Sequence, residues 1–279
     1  MQVSPSAHHI KTNQSSLLTK AIENNWGKAW SVFDRLPNAR LHHRDGLVWF
    51  ETGIRDSLLN AVLYTKLSSS SIDAMIEKLK LHFCARSLPM SWYIGPSTQP
   101  GDLAKRLEAQ GFGFADQAVG MAIDLQQQTV IASKNPEDLV IERIADVRSI
   151  VTWVNLLQLG FGYSDEFAHA AYRLCLDFDF VDGRATYHYL GILNGAPAAT
   201  STLLLSDGVA GICDVSTAPP ARGMGLGTAL TLAAIRDAQK MGYHVLVLRS
   251  SGLAEEMYRR IGFRKYCVFD RYSSSCPPL

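Results

Sequence analysis

The sequence predicts a mixed α/β protein built as two similar halves in tandem. Three observations lead there. Strand-like and helix-like apolar patterns alternate along the chain; the halves can be laid over each other with a constant shift; and a glycine-rich loop, Arg222 to Gly227, separates a strand pattern from a helix pattern in the second half. Apolar periods of two and of 3.6 residues distinguish strands from helices, and their alternation marks an α/β fold.

A length of 279 residues is comfortable for two domains. The boundary falls in the polar, Pro136-containing stretch 126–138 (QQQTVIASKNPED), which gives a first domain over 1–125, a linker, and a second domain over 139–279. In the first half, Leu17 to Leu36 reads as a helix stopped by Pro37. A strand follows over Leu41 to Phe50, and a second over the apolar run Leu58 to Leu67. Ser71 to Arg86 has helical spacing through Ile72, Met75, Ile76, Leu79 and Phe83, with Ser71 as its cap. Trp92 to Gly95 is a short strand, Asp102 to Gln110 a short helix ended by Gly111, and Val119 to Leu125 a closing strand.

The second half repeats that order. Leu139 to Ile144 is a strand, and Asp146 to Leu159 and Ser164 to Leu176 are helices. Tyr187 to Leu205 is a hairpin turning at Asn194-Gly195, a dipeptide suited to a two-residue turn with positive φ. Val209 to Thr217 is a strand, Gly225 to Met241 a helix, and His244 to Leu248 a strand. Leu253 to Ile261 is a helix ended by Gly262, and Lys265 to Tyr272 the last strand. Subtracting 151 takes Gly262-Phe263 to Gly111-Phe112, Leu230 to Leu79 and Met241 to Met90, so we read an internal duplication.

Composition narrows the function. Apolar residues make up 47% and charged residues 19%, with a formal net charge of +1. That near-neutral balance argues against nucleic-acid binding driven by phosphate neutralisation. No apolar run approaches the roughly 20 residues that cross a bilayer, and the N-terminal stretch has no apolar signal core. The expectation is a cytoplasmic protein without membrane attachment. Its five scattered cysteines form no Cys-x-x-Cys pair and read as reduced thiols. Neither they nor the eight histidines show metal-ligand spacing, so no metal is expected.

The loop Arg222-Gly223-Met224-Gly225-Leu226-Gly227 opens a helix, where unpaired N–H groups and the positive end of the helix dipole favour a phosphate. Its spacing is not that of dinucleotide folds, and no Gly-Lys-Ser/Thr follows, so it is not a nucleoside-triphosphate loop. Taken alone it is either an anion cradle or simply a glycine-rich turn.

The longer stretch Val215-Ser216-Thr217-Ala218-Pro219-Pro220-Ala221-Arg222-Gly223-Met224-Gly225-Leu226-Gly227 resembles the acyl-CoA signature of the GNAT superfamily of N-acyltransferases. There a strand, a Pro-containing loop and Arg/Gln-x-x-Gly-x-Gly/Ala open a helix. A second signature, Glu255-Glu256-Met257-Tyr258-Arg259-Arg260-Ile261-Gly262-Phe263, is similar to the family's helix with Tyr ending in Gly-Phe. The resemblance covers about Asp138 to Tyr272 and implies tandem GNAT-like domains, the second with an intact acyl-CoA loop. It also implies that acetyl-CoA is the co-substrate and a primary amine, on a small molecule or a peptide, the acceptor. The amides of Gly223, Met224, Gly225, Leu226, Gly227 and Thr228, beside Arg222, would hold the pyrophosphate. The backbone at Val215, Ser216 and Thr217 would align the pantetheine arm and polarise the thioester.

The same resemblance makes Tyr258 the general acid; the competing reading is an aromatic that packs the core. Some relatives carry a Glu base at the position of Gly211, so that base is missing. Asp214 is the nearest carboxylate, as base or as a strand-end hydrogen-bonding group, with Cys213 and Asp214 expected on opposite faces of their strand. Phe161 and Tyr163, around Gly162, are candidate acceptor-binding residues beside the Asn194-Gly195 hairpin and part of the first half, or else they cap the core. The acidic run Asp177, Asp179, Asp182 either attracts a cationic amine or is a solvated loop.

Under the shift of 151, Ser71, Ala74 and Ile76 stand where Arg222, Gly225 and Gly227 are, and Leu107 where Tyr258 is. The first half therefore reads as a degenerate GNAT-like domain lacking both the loop and the acid. The leading function is an N-acetyltransferase; the alternative is an acyl-CoA-binding sensor without turnover. A purely structural partner would not need glycines at 223, 225 and 227.

Overall fold

The computed structural model describes residues 15–126, 135–177, 185–206 and 208–275. Residues 127–134 of the expected linker, and Asp179 and Asp182 of the acidic run, lie outside them. In chain order the elements are α1 (Ser15–Ser31), β1 (Arg40–Arg44), β2 (Leu47–Glu51), β3 (Asn60–Thr65), α2 (Ile72–Cys84), β4 (Met90–Ile94), α3 (Leu103–Ala109) and β5 (Gly113–Asp124). Then come β6 (Leu139–Arg143), α4 (Val147–Phe161), α5 (Asp165–Asp177), β7 (Thr186–Leu193), β8 (Ala196–Ser206), β9 (Val209–Thr217), α6 (Leu226–Lys240), β10 (Val245–Ser251), α7 (Glu255–Ile261) and β11 (Arg264–Ser274).

By contacts the chain divides into two units, each discontinuous in sequence. The C-terminal unit takes residues up to 29 together with 119–163 and 175–266; the N-terminal unit takes 30–118, 164–174 and the chain from 267 on. Helix α1 thus packs with the second half, through Asn25 Nδ2 donating to Ser206 Oγ at 2.9 Å and the Arg249 guanidinium 4.5 Å from the Trp26 ring centroid. Most of α5 packs with the first half, where Phe167 meets Phe33 at 5.7 Å and Ser164 donates to Asp56. Neither placement has a counterpart in local sequence, because apolar periodicity shows which face is buried and not what buries it.

In the C-terminal unit the strand order is β6-β7-β8-β9-β10-β5. Strands β6 to β9 are antiparallel neighbours, and β9 and β10 are parallel. Asn194 and Gly195 have φ of 52° and 76°, as their hairpin turn requires. Asp146 caps α4 by accepting from Ser149 N at 2.9 Å. The core gathers Ala210 and Ile212 of β9, Leu226 and Leu230 of α6, and Tyr258, Ile261 and Phe263.

In the N-terminal unit the order is β1-β2-β3-β4-β11, with β3 and β4 parallel. The run Leu41 to Phe50, expected as one strand, is two strands folded at Gly46, whose φ is 77°. Ser71 does not cap α2; its hydroxyl bonds Ser68 instead. Cys84 is disulfide-bonded, which corrects the reading of five reduced thiols, while Cys175, Cys213 and Cys267 form no disulfide.

Two helices related by the shift of 151 share their closing hydrogen bonds. Phe112 N donates to Leu107 O and Gly111 N to Glu108 O; Phe263 N donates to Tyr258 O and Gly262 N to Arg259 O. Both helices therefore end on the same turn, at matching positions under the shift of 151.

Candidate active site

Strand β9 organises the site. Its parallel ladder with β10 runs over Ala210–Leu246, Gly211–Val247 and Ile212–Leu248, yet β9 continues to Thr217 and β10 to Ser251. The strands part because β9 carries a bulge. Thr200 faces Ser216 and Thr202 faces Cys213, so two residues, Asp214 and Val215, oppose the single Ser201. Asp214 takes φ +55°, and its carbonyl accepts from Thr200 Oγ1 at 2.7 Å. A bulge adds twist and bends its strand, which opens a fork on the β10 side of Asp214 to Thr217. Past Ile212, the residues of β9 have no register partner on β10 among the described pairs.

The fork leads to the glycine loop. Pro219–Ala221 form a 3-10 turn, and residues 222–225 are exposed. Gly225 sits at the N-cap of α6 with φ +82°, a conformation strained for residues with a side chain. The first helical bond of α6 is Ala229 N to Gly225 O at 3.0 Å, so the N–H groups of Leu226, Gly227 and Thr228 precede it and face outward. A phosphate placed there meets three donors and the positive helix end.

Two of the expected loop residues have contacts within the protein. Arg222 donates from Nη2 to Gly160 O at 2.8 Å and from Nε to Thr217 O at 3.3 Å, so its guanidinium anchors the loop to α4 and β9. Gly227 is closely packed: a Cβ there would lie 3.1 Å from Met257 Sδ and 3.8 Å from Val215 Cγ1. Met224 is exposed and Leu226 is buried in the core.

Tyr258, on α7, is 5% exposed, stacks edge-on against Phe263 at 5.7 Å and shares a hydrogen bond with Thr231 of α6. Burial pushes its phenol well above the usual tyrosine range, and the neighbouring Cys213 adds to this. Tyr258 thus keeps its proton and packs in the core, with its hydroxyl hydrogen-bonded to Thr231 of α6 and near Cys213 of β9.

Asp214 and Cys213 do not face opposite sides, since the bulge breaks the alternation and brings Cys213 Sγ to 3.5 Å from Asp214 Oδ2. Burial raises the Asp214 carboxyl above the ordinary range, while hydrogen bonds from Thr202 and Cys213 pull it back. The space beside Gly211 is filled by α1: a Cβ there would lie 2.0 Å from Asn25 Oδ1. Phe161 and Tyr163 stack at 5.1 Å with rings 19° apart across Gly162, whose φ is 70°. Phe161 is 45% exposed, which places it at the surface and not as a cap on the core.

Sequence reasoning missed Thr200, Thr202 and Asn25. A signal for the bulge was present: core-facing Ala210 and Ile212 are two apart, and Val215 follows after three, a one-residue slip in the strand period. Nothing local pointed to Asn25. Among the described residues no group of three or more His, Cys, Asp and Glu is arranged to hold a metal, and no helix is long and apolar enough to cross a membrane.

Comparison with known proteins places this geometry. Residues 150–263 match the acetyltransferase (GNAT) family. A segment of 55 residues is 44% identical to a mycothiol acetyltransferase of Pseudarthrobacter chlorophenolicus; the match spans 19% of this chain and 17% of that relative's length. A GCN5-related N-acetyltransferase from Kribbella flavida is similar in structure at 17% identity, with a TM-score of 0.68 over 91% of this chain and 95% of that one. A tandem GNAT protein from the clavulanic acid biosynthesis pathway aligns at 14% identity, with a TM-score of 0.60 over 96% and 97% of the two chains. At such identities these structures establish a shared fold.

Proposed function

Since residues 150–263 form a GNAT acetyltransferase domain, we propose that this chain transfers the acetyl group of acetyl-CoA to a primary amine on a small molecule or a peptide. The observation that carries the reading is the fork between β9 and β10 opening onto the amides that begin α6. Pyrophosphate takes the loop from Gly223 to Thr228, and the pantetheine arm lies along Val215 to Thr217.

The amine nitrogen attacks the thioester carbonyl carbon, the C–S bond breaks, and the departing sulfur takes the proton of Tyr258. The nitrogen gives up its own proton to the Asp214 carboxylate, leaving an acetamide and CoA thiol. A phenol of pKa about 10 is a weaker acid than a thiol of about 8.5. Burial raises both, however, so the transfer between them depends on their difference and not on the tyrosine alone. A raised carboxyl at Asp214 is a stronger base than an exposed aspartate.

The test is calorimetric titration with acetyl-CoA, followed by release of CoA thiol across a panel of amines. Amine-dependent release supports transfer. Tight binding without release from any amine favours the second reading, an acyl-CoA sensor, for which the observation is Gly211 backed by Asn25 where some relatives carry their base. The protein belongs, on this reading, with neither nucleic-acid nor membrane partners, and in the cytoplasm.

A further inference from the structure

A polar row crosses three strands of the C-terminal unit and ends at the fork. His188 of β7 and Thr202 of β8 are register partners, and so are Thr202 and Cys213 of β9. His188 Nδ1 lies 2.9 Å from Thr202 Oγ1, and the Thr202 hydroxyl hydrogen-bonds the Asp214 carboxylate. The Trp153 ring covers His188 at 4.6 Å. Asp214 itself occupies the left-handed region at φ +55°, a conformation that residues other than glycine seldom adopt and that recurs at functional sites.

The direction of the bonds follows from their chemistry. An ionised carboxylate only accepts, and a hydroxyl has one proton to give. If Thr202 gives its proton to Asp214, its oxygen must receive one from His188, so Nδ1 carries the imidazole hydrogen. Burial pushes His188 down to about 4, so the ring stays neutral near pH 7 and is no proton acceptor for the row. The row aims the carboxylate and does not carry its proton away.

We propose that His188, acting through Thr202, is a positioning residue that holds Asp214 ionised and aimed at the fork between β9 and β10. The proposal rests on the reading of Asp214 as the base. The other titratable groups around Asp214 are Cys213 on its own strand and Cys175 on α5, and Cys213 in turn acts on Tyr258 of α7. Burial raises all three, Cys175 to about 12, so none brings a charge near neutral pH.

The test needs no acceptor. In the full chain labelled with 13C at aspartate carboxyls, the Asp214 titration should move up by about one pH unit in Thr202→Val, the loss of one hydrogen bond to a charged group. His188→Phe should move it the same way, and the double variant no further than Thr202→Val alone. Thr202→Ser should restore the native titration, and 15N spectra should show His188 as the Nδ1–H tautomer. A titration unmoved by His188→Phe, or a His188 carrying its hydrogen on Nε2, overturns the proposal. Asp214→Asn measured for amine-dependent CoA release tests the base itself: full release sinks that reading even where the NMR row is intact.

Discussion

Tyr258 and Asp214, the acid and the base of the proposed reaction, were unequally legible. Tyr258 stands in a helix ended by Gly262-Phe263, a pattern that sequence displays directly. The surroundings of Asp214 depend on Thr200 and Thr202, which strand pairing alone brings near. Tyr258→Phe removes the proton donor and keeps the ring that packs on Phe263. We expect kcat to fall about 10²–10⁴-fold where chemistry limits, with acetyl-CoA affinity nearly unchanged by calorimetry. An unchanged chemical step, measured in single turnover, would assign Tyr258 to packing only. The stacked pair Phe161 and Tyr163 is the proposed aromatic face for an acceptor. Tyr163→Ala should therefore raise acceptor KM much more than acetyl-CoA KM, and a folded variant with both KM values unmoved refutes that role.

At the scale of elements the order of strands and helices was readable, because each has its own apolar period and Gly111, Gly262 and Asn194-Gly195 punctuate the chain. What was not readable came from pairing between distant segments: the bulge in β9, α1 beside Gly211, and α5 beside Phe33. The loop that opens α6 supports a direct prediction. Gly225→Val places a β-branched residue at φ +82°, so acetyl-CoA binding should weaken, by about 5- to 150-fold for about 1–3 kcal/mol of local strain. Native-like affinity in titration calorimetry would show that the loop is not the phosphate site. In the N-terminal unit a different tie joins β1, β2 and α2. The Glu51 carboxylate meets His42 Nε2 at 3.2 Å, His82 Nε2 at 2.7 Å and Arg86. Burial alone would raise Glu51, but hydrogen bonds from His82 and His42 and the charges of His82 and Arg86 leave it lowered. A lowered folded pKa stabilises above the unfolded value of about 4.3 and loses that contribution as pH falls through the folded one. Glu51→Gln should cost about 1–3 kcal/mol at pH 7, and the gap to the native protein should close toward pH 3 in urea denaturation. A gap independent of pH would mean the ion pairing adds nothing.

Taken whole, the molecule uses one fold twice and should bind acetyl-CoA once. Three features of the N-terminal unit close the place that the fork and the loop open in the C-terminal one. The edge of β3 is already paired, since Gln99 N donates to Thr65 O at 2.9 Å and Leu67 N to Gln99 O at 3.1 Å. A pantetheine arm would have to break both bonds, which no ligand amide restores in full. The first turn of α2 carries Asp73, bridged to Arg106 at 2.6 Å, so a carboxylate already occupies the positive helix end that phosphate needs. Ala74 and Ile76 stand where Gly225 and Gly227 shape the loop, and Leu107 offers no proton where Tyr258 does. Calorimetry on the full chain should therefore give a stoichiometry of about one acetyl-CoA per chain, the site count these features imply. Gly225→Val should weaken that single transition, while Asp73→Ala should leave it unchanged. A second transition in the native chain would show that the N-terminal unit keeps a working site despite Gln99 and Asp73.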